Sequence, residues 1–255
     1  MRVRASWPCA RAIVSVTSDI HAAPSRATSP SLYRQFVDHP LSVDLTFCGV
    51  VWEIMSVEAS DPMSNDRPPR RARAYHPPSK SYSHGFSELL VRVGRVSKQE
   101  RETSSNRDAI VFYAGNLSIL ENRAVSVVGS RDVTRDGRRR AAEVARDLAM
   151  AGVTVVSGLA KGVDTTALTS AISNGGRVAA VIGTSLDKAY PAENAKLQRQ
   201  IYANHLLMTP FQIGRRALRS NLPVRNRMMT AITDATVIIE ASDASGVLHQ
   251  AAECV

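Results

Sequence analysis

The sequence predicts an α/β fold built on a doubly wound, mostly parallel sheet. Three observations carry that prediction. Short apolar runs recur through residues 110–240 and alternate with segments of helical length. Each run is near-continuously apolar rather than alternating, the pattern of strands covered on both faces. Most of the runs also feed directly into small, flexible turns, and in open α/β sheets ligands bind at the carboxyl ends of the strands.

Ile110-Val-Phe-Tyr-Ala-Gly-Asn116 is the first strand of this region and ends in a Gly-Asn turn. Ala124-Val-Ser-Val-Val128 follows, and it runs into Gly129, Ser130 and Arg131. A helix over residues 136–151 places Ala141, Val144, Ala145, Leu148 and Ala149 on one face, and Gly152 suits its C-terminal cap. A strand, a glycine turn and a helix N-terminus make an anion site, because free N–H groups and the helix dipole point the same way. Arg131 adds a planar donor fork at its mouth.

The same plan repeats. Val153-Thr-Val-Val-Ser157 leads to Gly158 and a helix over 163–173. Arg177-Val-Ala-Ala-Val-Ile-Gly183 leads to Thr184 and a polar helix over 192–203. A short strand over 205–208 and an Arg- and Gly-rich loop precede a helix over 223–232, with Pro223 near its first position. Ala235-Thr-Val-Ile-Ile-Glu240 is the last strand, Ser242-Asp-Ala-Ser-Gly246 its turn, and a final helix starts at Val247.

Residues 1–105 do not read as a domain. Pro, Ser and Arg clusters, such as Asp66-Arg-Pro-Pro-Arg-Arg-Ala-Arg73, cannot bury enough surface to offset chain entropy. This half is expected to be a poorly ordered extension, or in part an artefact of the start site, since Met55 and Met63 lie downstream. Residues 45–52 could form a strand and residues 86–93 have helix-like apolar spacing. The ordered domain is expected over 106–255.

The net charge of +9 and pI near 9.9 favour a polyanionic partner. Aromatic residues make up only 5%, so no stacking platform for bases is advertised. Cys9, Cys48 and Cys254 are too few and too irregularly spaced for a disulfide framework or a zinc site, which points to a reducing cytoplasm. No apolar run is long enough to span a membrane.

The region resembles the DNA-processing protein A (DprA/Smf) family, within a superfamily of Rossmann-like nucleotide-binding domains. The resemblance rests on Phe112-Tyr-Ala-Gly-Asn116, Val127-Val-Gly-Ser-Arg131, Val155-Val-Ser-Gly-Leu-Ala-Lys-Gly-Val-Asp164, Ala180-Val-Ile-Gly183 with Tyr190 and Pro191, Pro223-Val-Arg-Asn-Arg227, and Val237-Ile-Ile-Glu-Ala241 with Ser245 and Gly246. It implies a cytoplasmic, commonly dimeric protein that binds single-stranded DNA, protects incoming DNA during natural transformation and loads the RecA recombinase. Carried over residue by residue, the DNA pocket comprises Gly129, Ser130, Arg131, Ser157, Gly158, Lys161, Arg225, Asn226, Arg227, Ser245 and Gly246. Arg131, Lys161, Arg225 and Arg227 suit phosphate neutralisation, and Asp164 suits a capping or loop-bracing role.

Three departures stand out. Leu168 takes the place where the family carries a histidine, Val247-Leu-His-Gln250 follows Gly246, and the sequence stops at Val255 where the family's sheet continues. A sheet edge without cover is therefore expected, with marginal stability or a partner as its consequence.

Two other functions compete with the binding module. Nucleotide phosphoribohydrolases of the lysine-decarboxylase-like (LOG) type resemble this fold but carry a Gly-Gly-x-Gly-Thr-x-x-Glu loop with a catalytic Glu. Aligned through Gly246, this sequence has Val247 and Gln250 at the Thr and Glu places, and a neutral amide is no general base. Glu253 lies one helical turn away, and His249 stands alone. A small-nucleotide sensor using the same rim is the other alternative. Binding is favoured over catalysis, with no catalytic residue, metal or cofactor assigned.

Overall fold

The computed structural model describes residues 12–16 (backbone only), 75–99 and 109–240. These belong to one compact unit. The strands are β1 (Ala12–Val16), β2 (Tyr82–Gly85), β3 (Ile110–Gly115), β4 (Ala124–Gly129), β5 (Thr154–Ser157), β6 (Val178–Val181), β7 (Leu206–Thr209) and β8 (Ala235–Ile239). They form one sheet in the order β1-β8-β4-β5-β6-β7-β3-β2. All pairings from β1 to β7 are parallel, while β7–β3 and β3–β2 are antiparallel.

The helices are α1 (Phe86–Arg92), α2 (Arg135–Met150), α3 (Val163–Ser173), α4 (Ala195–Asn204) and α5 (Asn221–Ala231). The sheet separates two apolar layers, as the continuous apolar strands require. Residues from α2, α3 and α4 pack with Val127, Val155, Val178 and Leu207 on one face. Residues from α1 and α5 pack with Val128, Val156, Val181 and Met208 on the other. The buried stripe of α2 is Gly137, Ala141, Ala145, Leu148 and Ala149, the face its spacing predicts apart from Val144. Leu168, where the family carries histidine, is fully buried on α3 among these apolar neighbours.

Two expectations are corrected. Packed structure begins well before residue 106. Leu89, Leu90 and Val93 lie in the apolar layer, and β2 extends the sheet beside β3. Arg95 then reaches the amino-terminal edge of the sheet, pairing with Asp234 and donating to the Asn122 carbonyl at 2.8 Å. The Asp234 carboxylate also accepts the Ala124 amide at 2.8 Å, tying β4 and β8 together. The helix-like spacing over 86–93 marks α1, whereas β2, Tyr82–Gly85, carries no apolar run that would mark a strand. The outer edge of β8 is also not bare: β1 pairs with it in parallel, from Ala12 opposite Ala235 to Val16 opposite Ile239. A run of Ala, Ile and Val embedded in a basic segment is enough for an edge strand. The expected strand over 45–52, the basic run over 67–73, and the turn and helix after residue 241 lie outside the described residues.

Candidate nucleic-acid interface

After β4 the chain builds β5, β6 and β7 outward on one side, then returns to lay β8 on the other side of β4. The topological switch point therefore lies between β4 and β8, and the crevice at their carboxyl ends is the expected ligand site. The seam below it is closed by a buried hydroxyl pair, Ser126 Oγ and Thr236 Oγ1, 2.6 Å apart. Gly129 is required there, because a Cβ would overlap the Ile239 carbonyl and lie 2.7 Å from Val163 Cγ2.

The anion site expected at the start of α2 is already filled by the protein itself. Glu240, in the left-handed region at φ 51°, accepts the Ser130 amide on its carbonyl at 2.8 Å. Its carboxylate accepts the Thr134 amide at 2.8 Å and the Thr134 hydroxyl. Thr134 is the N-cap of α2, and its Oγ1 in turn accepts the Gly137 amide at 3.0 Å. A Cβ on Gly137 would run into the Glu240 carboxylate. The Gly129–Arg131 turn thus offers a phosphate its side chains, whereas the Ser130 amide is committed. Sequence reasoning missed Glu240 because its partner lies more than a hundred residues away.

The start of α3 is closed by the backbone, where the Val163 amide donates to the Ser130 carbonyl at 3.2 Å. Gly162 adopts φ +87° and packs flat against the Ser130 and Arg131 carbonyls, where no side chain fits. Asp164 is 5% exposed and accepts the Ala160 amide at 3.3 Å. Burial raises its carboxyl above the ordinary value, an effect the Arg225 guanidinium opposes. Arg225 is itself 7% exposed, with Nη1 3.9 Å from Asp164 Oδ2 and 3.4 Å from the Val181 carbonyl it donates to. Burial lowers its proton affinity, and the charge of Arg131 lowers it further, so the two arginines share one electrostatic environment. Gly158 makes room for that guanidinium, since a Cβ there would collide with it. Asn194 braces the same loop, donating to the Leu159 carbonyl at 2.9 Å and to Thr165 Oγ1 at 2.8 Å.

The residues singled out from the sequence therefore divide. Arg131, Lys161 and Arg227 are exposed, Ser130 is half-buried, and Gly129 and Gly158 form the floor beside Arg225. The contact between Lys161 and the exposed Asp132, 3.9 Å across solvent, leaves the ammonium available. Ser157 is not at the rim: it is fully buried and donates to the Val127 carbonyl at 2.7 Å. Asn226 is buried as well. The Arg225-Asn226-Arg227 segment does not open its helix. Asn221 does, donating to the Gly183 carbonyl at 3.1 Å, so that Arg225 and Asn226 face inward one turn later. Ser245 and Gly246 lie outside the described residues.

The same carboxyl edge carries exposed Arg215, Arg216 and Arg219 after β7, which sequence reasoning passed over as a loop. The signal was present: three arginines within five residues after a strand. Arg215 lies over the Phe211 ring, 5.2 Å from its centroid, and accepts Lys188 Nζ on its carbonyl at 2.8 Å. Among the described residues no cluster of His, Cys, Asp and Glu could hold a metal, and no helix is long and apolar enough to cross a membrane.

The family model described as DNA recombination-mediator protein A matches residues 97–255. DNA processing protein DprA of Streptococcus pneumoniae is 40% identical over 139 residues, covering 54% of this chain and 49% of that protein. Protein Smf of Synechocystis is 36% identical over 143 residues, covering 54% of this chain and 36% of that protein. The chain thus spans half or less of the length of these relatives. Among solved structures, DNA processing protein A of S. pneumoniae superposes with a TM-score of 0.60 at 32% identity, covering 72% of this chain and 61% of that one. That of Helicobacter pylori, described for its single-stranded DNA binding mode, superposes with a TM-score of 0.55 at 26% identity, covering 59% of this chain and 69% of that one.

Proposed function

The chain belongs to the DNA recombination-mediator protein A family, and on that premise we propose that it binds single-stranded DNA along the carboxyl edge of the sheet. The observation that carries this reading is the sorting of charge at the switch point. Asp164 is turned inward to brace the loop before α3 and Glu240 is held by Thr134 at the start of α2, while Arg131, Lys161 and Arg227 are exposed. A surface of outward cations recognises phosphates without reading bases. The relative from H. pylori, whose structure is described by its single-stranded DNA binding, supports the choice of strand. Ser130, with Gly129 and Gly158, completes the pocket, to which the family resemblance adds Ser245 and Gly246. The buried Ser157, Arg225 and Asn226 hold its floor.

On this reading the protein takes part in DNA processing and protection during natural transformation and RecA-dependent recombination. It works as a homodimer in the cytoplasm, with RecA as its protein partner. Fluorescence anisotropy of labelled oligo-dT, measured against salt, tests the binding step. Arg131→Ala weakens binding and lowers the salt slope by about 0.7 for each phosphate that is no longer neutralised. An unchanged slope in both Arg131→Ala and Arg227→Ala would overturn the assignment.

A further inference from the structure

In a doubly wound sheet, the first helix after the central strand is the natural seat for a nucleotide's phosphates. Here that seat is α2, and it is taken. The Glu240 carboxylate sits where a phosphate would sit. It accepts the Thr134 amide at 2.8 Å and the Thr134 hydroxyl, above a glycine, Gly137, that has no side chain to keep it out. The carboxylate arrives from the far side of the switch point, because β8 ends at Ile239 and Glu240 turns back at φ 51°. The adjoining Ser130 amide is bound to the Glu240 carbonyl at 2.8 Å. Glu240 thus takes the N-cap amide of α2 and the Ser130 turn amide, while Thr134 Oγ1 takes the Gly137 amide, and the Glu240 carboxylate stands at the mouth of the cradle.

We propose that Glu240 is a specificity-determining residue: its carboxylate fills the α2 phosphate cradle and excludes a small nucleotide, leaving the outward cations to polyanionic strands. Occupation by an internal acid is stronger exclusion than an empty cradle. A phosphate must displace a tethered group of like charge whose effective concentration is high. Displacement also returns a carboxylate to a crevice that the phosphate itself makes more negative. The selectivity for strands rests on the single-stranded DNA reading above; the closing of the cradle does not.

The test separates the two. The full chain and Glu240→Gly are titrated with AMP while the amide resonances of Thr134 and Gly137 are followed, and each is titrated separately with labelled oligo-dT. Glycine is the apt substitution because it removes the carboxylate and accepts positive φ without strain. The wild-type protein is expected to show no AMP response at those amides, and Glu240→Gly to bind AMP there at least roughly tenfold more tightly, as an opened helix start permits. Glu240→Gln, which keeps one acceptor oxygen but loses the like charge, is expected to bind AMP there more weakly than Glu240→Gly. AMP binding at these amides in the wild type overturns the proposal. So does a folded Glu240→Gly that binds no AMP. Failure of oligo-dT to bind the wild type overturns the strand reading alone.

Discussion

Two helix starts flank the crevice, and an acid of the chain stands at each, yet the acids differ in origin and task. At α3 the acid is local and buried: Asp164, in the first turn, braces the preceding loop through the Ala160 amide and faces the guanidinium of Arg225. At α2 the acid is distant and partly solvated: Glu240 comes from beyond β8. The amides at the start of α3 are thus met by backbone carbonyls, with Asp164 bracing the loop before it, whereas at α2 the N-cap amide is met by a removable carboxylate. The contrast teaches that Asp164 belongs to the fold and Glu240 to the choice of ligand.

The largest effect that would break this comparison is on stability at α3. Asp164→Ala leaves the Arg225 charge buried without its partner and is expected to cost about 3–5 kcal/mol, read from urea unfolding. A destabilisation no greater than that of a surface substitution would mean that the guanidinium finds water or another acid. The pH dependence sharpens the same point. Burial raises the Asp164 carboxyl above its ordinary 3.8, so the folded protein holds this proton more tightly than the unfolded chain. The stability it contributes is fully present below pH 3.8 and is lost as pH rises through the higher folded value. The stability of wild type minus that of Asp164→Asn should therefore fall with rising pH across that window. A difference that grows instead would mean that Arg225 outweighs burial.

Effects at α2 are smaller. Thr134→Ala removes the N-cap and one hydrogen-bond donor to Glu240, and is expected to cost about 1 kcal/mol in thermal or urea unfolding. Glu240→Gly gives up the carboxylate's hydrogen bonds but relieves a left-handed residue, so its net change should lie within about 1 kcal/mol. A destabilisation as large as that of Asp164→Ala would erase the distinction between the two helix starts.

Much of this arrangement is legible in the sequence. Local spacing places the 163–173 helix where it is observed and the start of α2 within one residue. Apolar runs locate β4, β5, β6 and β8, since a strand covered on both faces needs side chains of one kind. Arg131 and Lys161 follow from their loops, which cannot be buried without cost to the backbone. Direction is what sequence reading missed at α5: packing against the sheet turns Arg225 and Asn226 inward and leaves Arg227 outside.

What the sequence determined by itself was therefore the order of strands and helices over residues 110–240 and the chemistry of the loops, because periodicity and turn residues act over a few neighbours. The tertiary structure alone decided which of those groups face solvent. Strand order brings β8 beside β4, so that Glu240 reaches α2 from more than a hundred residues away and β1 meets the outer edge of the sheet. Packing of α5 against the sheet carries Arg225 to Asp164. Pairings of that range depend on the fold's topology, which no local window of residues contains.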